Sequence, residues 1–399
     1  MYLFINYINI MMKQKTKYLL VFIIPILLIV FLSMIAMSSI YNSKQETIKI
    51  GAITPLTGDA SVYGDPAGKA ILLAEEQINK QGGILGKKLE IILEDGKCDS
   101  KETLNAVNKL IFIDKTKIIL GGHCSTESLT IAPVANQNKI IQLATITSSD
   151  KFTEAGDYSF RNWPSSDYYV SKLGDIAIQK GAKKIAILYE QKDFPQSAMK
   201  SFKKRFIELG GEVVIEQSFL PEETDFKDYL TKIKDKKEVD SIFFSTQGGG
   251  NAEIYFKQLK EFGMIGKYLM FTNNDPVSKK VYDDTGGLNK NVFTTDVYVN
   301  PTRKKTKDLL ELYKEKYGDY PKTNNFHVAC SYDTVFIIKD ALEHCGKVDP
   351  ECIKNYLYNL KNLQGPAGSV TFDNNGDAIT TIGLHYFDEK GNEVWKELN

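Results

Sequence analysis

Short apolar segments alternate with amphipathic segments along most of this chain. Ala67, Ala70, Ile71, Ala74 and Ile78, for example, recur at helical spacing directly after one apolar segment. Strands that alternate with helices in this way pair in parallel, and the helices cover the faces of the sheet. The alternation therefore predicts an α/β fold with parallel sheets.

The predicted strands fall into two series. The first series comprises Ile48–Ile53, Leu89–Glu94, Ile118–Leu120 and Ile140–Ile146. The second series comprises Lys184–Tyr189, Val213–Phe219, Ser241–Ser245 and Tyr268–Thr272, and the strand Val292–Val299 begins a third region. Between the two series the segment FRNWPSSD, Phe160–Asp167, contains a proline and has no clear periodicity, so we place a crossing there. We expect two Rossmann-like lobes joined by a hinge with several crossings: residues 47–162 with 297–370, and residues 163–296 with 371–399.

A cleft between two such lobes is the expected ligand site, because ligands bind beyond the carboxyl ends of the strands in open α/β sheets. The stretch KIILGGHCSTES, Lys117–Ser128, reads as a buried strand followed by a helix start. Backbone amides there, with the hydroxyls of Ser125, Thr126 and Ser128, can hold an anion. Glu127 favours a singly charged carboxylate over a phosphate, and an ordinary helix N-cap is the alternative. The other candidates that follow strands are Tyr63, Ile146, Thr147, Ser148, Phe194, Gln247 and Asp275.

The charge balance narrows the possible functions. The 399 residues include 50 Lys and Arg and 50 Asp and Glu, so no basic excess favours nucleic acid or an acidic membrane surface. The sequence contains no P-loop, no His-Glu-x-x-His and no Gly-x-Ser-x-Gly. We therefore expect no cofactor, no metal and no nucleic-acid partner.

The N-terminal segment predicts a membrane anchor. Residues 18–41 contain no charged residue and are long enough to cross a bilayer, and Lys13, Lys15 and Lys17 precede them. The positive-inside rule then keeps residues 1–17 in the cytoplasm and exports the rest. A cleaved signal peptide and a buried core helix are the alternatives. An uncleaved single-pass anchor is favoured because the apolar run exceeds that of a usual signal peptide.

Export makes disulfide bonds possible. Cys98 and Cys124 each follow a predicted strand, and adjacent parallel strands bring their carboxyl ends together, so a bridge between them is sterically reasonable. Cys345 and Cys352 enclose a short loop and are a second possible pair. Cys330 lies in an apolar helix and is expected as a buried free thiol.

Several segments in order resemble the extracellular solute-binding proteins of branched-chain amino-acid ABC transporters, which have the type I periplasmic-binding fold. They are IKIGAITPLTGDASVYGDPAGKA, INKQGGILGKKLEIILEDGKCD, GGHCSTES, FRNWPSSD, TDFKDYLTKIK and FDNNGDA. The resemblance covers nearly everything from Ile48 onward. It implies a small-molecule ligand and an ABC permease as partners, and it supports the bridge between Cys98 and Cys124.

The resemblance also implies roles for residues of the first lobe. Ser125 would donate its hydroxyl to the α-carboxylate of the ligand. Ile146 and Ser148 would stand where a main-chain carbonyl and a hydroxyl hold the ammonium and the carboxylate, and Tyr63 would line the pocket.

The second lobe departs from the family pattern. Phe194 lies where amino-acid binders usually have a motif with a tyrosine, and Gln247 replaces an aromatic residue. Asp275 would pair with the α-ammonium, but Asn273 or Asn274 would face the ligand if the alignment shifted by a residue or two. An amide or an organic acid would then be the better ligand, since a buried unpaired ammonium is costly.

These features favour a membrane-anchored receptor that captures an amino acid outside the cytoplasm for an ABC permease. An extracellular sensor of an amide or small organic acid is the alternative, and it would need a partner to pass on its signal. An enzyme that uses Cys124 with His123 is disfavoured, because a bridged cysteine has no thiolate.

Overall fold

The computed structural model describes residues 1, 4–8, 11–12, 29–33 and 46–398. By its contacts the chain forms two compact units, Met1–Glu46 and Thr47–Asn399. The described stretches of the first unit are helical, except for residue 1 and residue 46. The predicted span 18–41 lies outside the described residues apart from positions 29–33. Among all residues that are described, no helix is both long enough and apolar enough to cross a membrane.

The second unit begins with a five-stranded parallel sheet in the order β2-β1-β3-β4-β5. Its strands are β1 (Thr47–Thr54), β2 (Lys88–Asp95), β3 (Ile118–Leu120), β4 (Ile141–Ala144) and β5 (Ser159–Arg161). The helices between them are α1 (Ser61–Lys80), α2 (Ser100–Asn108) and α3 (Ser125–Gln137). A π-helical turn, Lys109–Ile113, continues α2, and a 3₁₀ turn, Asp150–Glu154, precedes β5. We call this sheet and its helices the first lobe.

A second series of strands and helices follows. Its strands are β6 (Lys184–Glu190), β7 (Glu212–Phe219), β8 (Ser241–Ser245), β9 (Leu269–Thr272) and β10 (Val292–Val297). Its helices are α4 (Ser166–Tyr169), α5 (Ser171–Gln179), α6 (Asp193–Glu208), α7 (Lys227–Asp235), α8 (Gly249–Glu261) and α9 (Lys279–Thr285), with a 3₁₀ turn at Asp275–Val277. These strands pair in parallel. The parallel α/β arrangement predicted from the sequence is confirmed.

The last part of the chain belongs to both lobes. Helices α10 (Lys304–Tyr317), α11 (Asn325–Cys345) and α12 (Pro350–Tyr358) precede a small antiparallel sheet. That sheet consists of β11 (Leu363–Gly365), β12 (Gly368–Phe372) and β13 (Ala378–Ile379). The final strands, β14 (Ile382–Phe387) and β15 (Glu393–Leu398), join β10 to complete a seven-stranded sheet. We call this sheet and its helices the second lobe.

The connections between the sheets form the hinge. The chain leaves the first sheet after β5, leaves the second after β10 and returns to it after β13. The predicted lobe boundary after residue 370 falls inside strand β12, and Phe372 of that strand belongs to the same buried apolar cluster as Ile118 and Leu120 of the first lobe. The residue boundaries proposed for the two lobes stay a prediction.

Both predicted disulfide bonds are present. Cys98 is bonded to Cys124 with a Cα–Cα distance of 5.6 Å, and Cys345 is bonded to Cys352 with a distance of 6.0 Å. Cys330 is a buried free thiol on α11, as its apolar sequence context indicates.

Candidate functional site

Loops from the two lobes enclose one cavity of about 40 Å³. Its lining consists of Tyr63, His123, Cys124, Ser125, Ile146, Ser148, Phe194, Gln247, Asn274, Asp275 and His327. We call the side formed by the first-lobe residues and His327 the first wall, and the side formed by Phe194, Gln247, Asn274 and Asp275 the second wall. Seven of the predicted site residues line this cavity, whereas Thr126, Ser128 and Thr147 do not.

The loop between β3 and α3 is organised by the carboxylate of Glu127. This carboxylate accepts hydrogen bonds from the backbone amides of Cys98 (3.1 Å), His123 (2.9 Å) and Cys124 (3.1 Å). Gly122 is required there, because a Cβ at this position would lie 2.2 Å from the Cβ of Glu127. Burial raises the pKa of Glu127 to about 7. The amides of His123 and Cys124 are therefore already bonded and are not free to hold an anion, and the predicted anion site at the start of α3 stays a prediction.

Two serine hydroxyls of the first wall retain free protons. The Oγ of Ser125 accepts hydrogen bonds from the amides of Ser148 (3.3 Å) and Ser149 (3.1 Å). The Oγ of Ser148 accepts one from the hydroxyl of Tyr169 at 3.1 Å. A hydroxyl that accepts still has one O–H to donate. Ser125 and Ser148 therefore offer two donors to the cavity.

Arg161 fixes the loop that carries Ser148. Its guanidinium, fully buried, donates to the carbonyl oxygens of Thr147 (3.2 Å) and Ser149 (2.8 Å). It also pairs with Asp377, with 2.6 Å between Nε and Oδ1. From the sequence, the segment Phe160–Asp167 is predicted only as a crossing between the lobes. In the structure its Arg161 holds the backbone on both sides of Ser148 and so orients the Ser148 hydroxyl of the first wall.

An imidazole pair and a phenol complete the first wall. Nε2 of His123 lies 2.9 Å from Nδ1 of His327, and Nδ1 of His123 lies 3.1 Å from Oγ1 of Thr145. The Tyr63 ring stacks on His327 with 5.0 Å between ring centroids. Burial lowers the pKa of His123 to about 3, and burial with the neighbouring His123 lowers the pKa of His327 well below its ordinary value. Both imidazoles are neutral at physiological pH.

The second wall carries a carboxylate. Oδ2 of Asp275 accepts the amide of Gly248 at 2.7 Å, and no described residue donates a hydrogen bond to its Oδ1. Burial, with a smaller contribution from Glu190, raises the pKa of Asp275 to about 7. Asn274 also lines the cavity, whereas the side chain of Asn273 bonds to the backbone of Thr246 inside the lobe. Of the three possible residues, Asp275 and Asn274 face the site and Asn273 does not.

Gln247 connects the two walls. Its backbone amide donates to Oε2 of Glu190 at 2.7 Å, which fixes the loop after β8. Its side-chain Nε2 lies 3.5 Å from Sγ of Cys98, across the cleft. Phe194, in the first turn of α6, lies at the cavity with only 8% of its surface exposed and gives the second wall an apolar part.

Thr126 and Thr147 do not line the cavity. The hydroxyl of Thr126 donates to Oδ2 of Asp193 at 3.3 Å, which links the two lobes beside the site. The hydroxyl of Thr147 contacts that of Ser128 inside the first lobe. Each threonine is next in sequence to a lining serine, but its side chain points elsewhere because successive residues diverge in direction.

The disulfide bond removes the nucleophile that an enzyme would need at Cys124. Cys124 is bonded to Cys98, so it has no thiolate to attack with. The sulfurs of both cysteines and a Glu127 oxygen lie within 4.8 Å of one another, but bridged sulfurs are not the thiolate ligands that a metal takes.

Sequence reasoning missed part of the lining. From the sequence, His123 is predicted only as a partner for a catalytic cysteine, and Asn274 only as an alternative to Asp275. His327 lies 204 residues from His123. The one available signal for His327 was a polar residue at the start of the apolar helix α11.

Two α/β lobes that enclose a small cavity at the carboxyl ends of their strands define a solute-binding protein with the type I periplasmic-binding fold. The chain belongs to the periplasmic binding protein family, whose sequence pattern matches residues 47–392. It is a solute-binding protein of ABC transporters for small ligands, of the branched-chain amino-acid type.

Individual relatives differ in what they bind. The leucine-, isoleucine-, valine-, threonine- and alanine-binding protein of Pseudomonas aeruginosa is 26% identical, over 84% of this chain and 88% of its own. A leucine-binding protein from Thermotoga maritima has the same fold, with a TM-score of 0.79 and 24% identity over 88% of this chain and 99% of its own. A solute-binding protein from Rhodopseudomonas palustris was solved with 3,4-dihydroxybenzoic acid. It has a TM-score of 0.77 and 26% identity, over 88% of this chain and 96% of its own.

Proposed function

We propose that this protein captures an α-amino acid between its two lobes and delivers it to an ABC permease. The observation that carries the proposal is that the hydroxyl of Ser125 and the carboxylate of Asp275 line one cavity from opposite lobes. An α-amino acid is the small solute that presents a carboxylate and an ammonium close together.

The first wall suits the carboxylate of the ligand. Ser125 and Ser148 each have one O–H to donate, and hydrogen bonds to an ionised acceptor are the stronger kind. The side chains of this wall are neutral, so no lining carboxylate of the first lobe repels the ligand. Glu127 lies behind the wall with its charge directed at loop amides.

The second wall suits the ammonium. Asp275 has one oxygen without a donor among the residues that are described. Lys192, the cation beside this wall, is 3.2 Å from Glu190 and is engaged there. An incoming ammonium therefore gives Asp275 its counter-ion, which offsets the cost of burying that carboxylate.

Entry of an amino acid requires the lobes to separate. A volume of about 40 Å³ has room for little more than one or two water molecules. Hinge motion is the usual way in which two-domain binding proteins open and close around a ligand. The contact between Gln247 and Cys98, and that between Thr126 and Asp193, are broken on opening and favour the closed arrangement.

The test is isothermal titration calorimetry of the full-length chain against the common amino acids, followed by two analogues of any that bind. One analogue lacks the amino group and the other lacks the carboxylate. We expect both analogues to bind at least a hundredfold more weakly, since each leaves one wall without its charged partner. Binding of benzoates or other organic acids in preference to amino acids would refute the amino-acid assignment.

We further propose that residues 18–41 anchor the protein in the membrane, with residues 1–17 in the cytoplasm and the lobes outside. The uncharged run and the three preceding lysines support this topology. Mass spectrometry of the membrane fraction tests it. Recovery of peptides from residues 1–17 in the membrane-bound protein is the expected result, and a mature N-terminus downstream of residue 41 would show cleavage instead.

A further inference from the structure

Beyond the groups assigned to the carboxylate and the ammonium, the cavity combines apolar and polar side chains. Tyr63, Ile146 and Phe194 give it apolar surface, and Gln247, Asn274 and the histidine pair lie beside them. A pocket for an aliphatic side chain gains its affinity from burying apolar surface against apolar surface. In this cavity the apolar surface is interrupted by the polar groups of Gln247, Asn274 and His327.

Two oxygens of the second wall need donors. Oδ1 of Asn274 and Oε1 of Gln247 are buried, and in the described part of the chain neither has a hydrogen-bond partner. Buried polar atoms are nearly always bonded, and an unmet acceptor is costly. An aliphatic ligand side chain would leave both oxygens unmet, whereas a side chain with two N–H groups would satisfy them.

The histidine pair can supply a complementary donor. If Thr145 donates to Nδ1 of His123, then Nε2 of His123 donates to Nδ1 of His327, and Nε2 of His327 carries a proton. No residue in the described ranges hydrogen-bonds to that Nε2. His327 lines the cavity and also the outer groove of about 540 Å³ next to it, so it lies on the path of a ligand side chain.

We propose that the solute is an α-amino acid with a carboxamide side chain, and that Asn274, Gln247 and His327 recognise that carboxamide. A carboxamide has two N–H donors for the two orphan oxygens and one carbonyl oxygen for the His327 N–H. This inference rests on the proposed function, because it assumes that Ser125 binds the α-carboxylate of the ligand and that Asp275 binds its α-ammonium.

A pair of isosteric ligands tests the side-chain assignment. L-asparagine and L-leucine have nearly the same shape, but only the first has a carboxamide. In calorimetry with the full-length chain at pH 7.5 we expect L-asparagine or L-glutamine to bind at least tenfold more tightly than L-leucine. Equal or tighter binding of L-leucine would overturn this inference and leave the proposed function standing. Failure of every α-amino acid to bind would overturn both.

Two substitutions of His327 test whether this residue recognises the side chain of the ligand. His327→Asn keeps an amide near Nδ1 and its contact with His123, whereas His327→Gln places an amide near Nε2. We expect the affinity ratio of carboxamide ligand to L-leucine to fall about tenfold in the Asn variant and to be largely kept in the Gln variant. His344→Asn, at the exposed end of the same helix, is the control and should leave the ratio unchanged. Unchanged ratios in all three variants would show that His327 does not recognise the side chain.

Discussion

The two walls of the cavity are built from opposite chemistry. The first wall presents hydroxyls and neutral imidazoles, and the buried His123 has a pKa near 3. The second wall presents oxygen acceptors, and its carboxyl, Asp275, has a pKa raised to about 7. Asp296 lies behind this wall and is fully buried, and burial raises the pKa of its carboxyl well above the ordinary value. The difference gives the cavity a polarity, so a zwitterion has one favourable orientation, with its carboxylate at the first wall and its ammonium at the second.

The largest expected effect comes from removing the charge of the second wall. Asp275→Asn should weaken amino-acid binding by about 3 to 5 kcal/mol, because the ligand ammonium would be buried without a counter-ion. Calorimetry at pH 7.5 measures this. Asp283→Asn, in the outer groove and largely exposed, is the control and should bind normally. Normal binding by the Asp275 variant would show that the ammonium is held elsewhere.

The first wall is cross-linked near Ser125, and the next prediction measures how much that matters. Replacing Cys98 and Cys124 by serine should lower the free energy of unfolding by about 3.5 kcal/mol, since their bridge spans 26 residues of sequence. The same change at Cys345 and Cys352, separated by seven residues, should cost about 2.5 kcal/mol.

Urea denaturation of the two double variants gives both values, and calorimetry gives the affinities. Only the first variant should also lose affinity, because Cys124 lines the cavity and Cys98 contacts Gln247. An affinity loss of the same size in both variants would mean that general stability, and not the first wall, controls binding.

The first wall was the more predictable of the two. A strand followed by two glycines and a hydroxyl-rich segment is a local signal that predicts a helix start, and α3 begins there, at Ser125. In the second wall the choice among Asn273, Asn274 and Asp275 depends on how a short 3₁₀ turn rotates each side chain, which periodicity cannot give. The histidine pair is a contact between distant segments, and Arg161 acts through carbonyl oxygens, so neither had a local pattern.

A smaller effect should separate two neighbours that the sequence could not distinguish. Ser125→Ala should weaken ligand binding by about 1 to 3 kcal/mol, through loss of one hydrogen bond to a charged group. Thr126→Val should weaken it by less, about 0.5 to 1.5 kcal/mol, since its hydroxyl bonds to Asp193 across the cleft and not to the ligand. Calorimetry of both variants decides, and a larger loss in the Thr126 variant would reverse the assignment of these two residues.

The pH dependence of affinity distinguishes the walls without any substitution. Asp275 must be ionised to hold the ammonium, and its ligand-free pKa is about 7, so protons compete with the ligand below that pH. Affinity should be constant above about pH 8 and fall by up to tenfold per unit between pH 7 and pH 5. The histidines of the first wall stay neutral in this window, because burial has lowered their pKa values, to about 3 for His123. Calorimetry across this range should therefore show one transition, which Asp275→Asn abolishes. If the pH transition persisted in the Asp275→Asn variant, another group would be responsible for it. The buried carboxyl of Glu127 would be the first to examine.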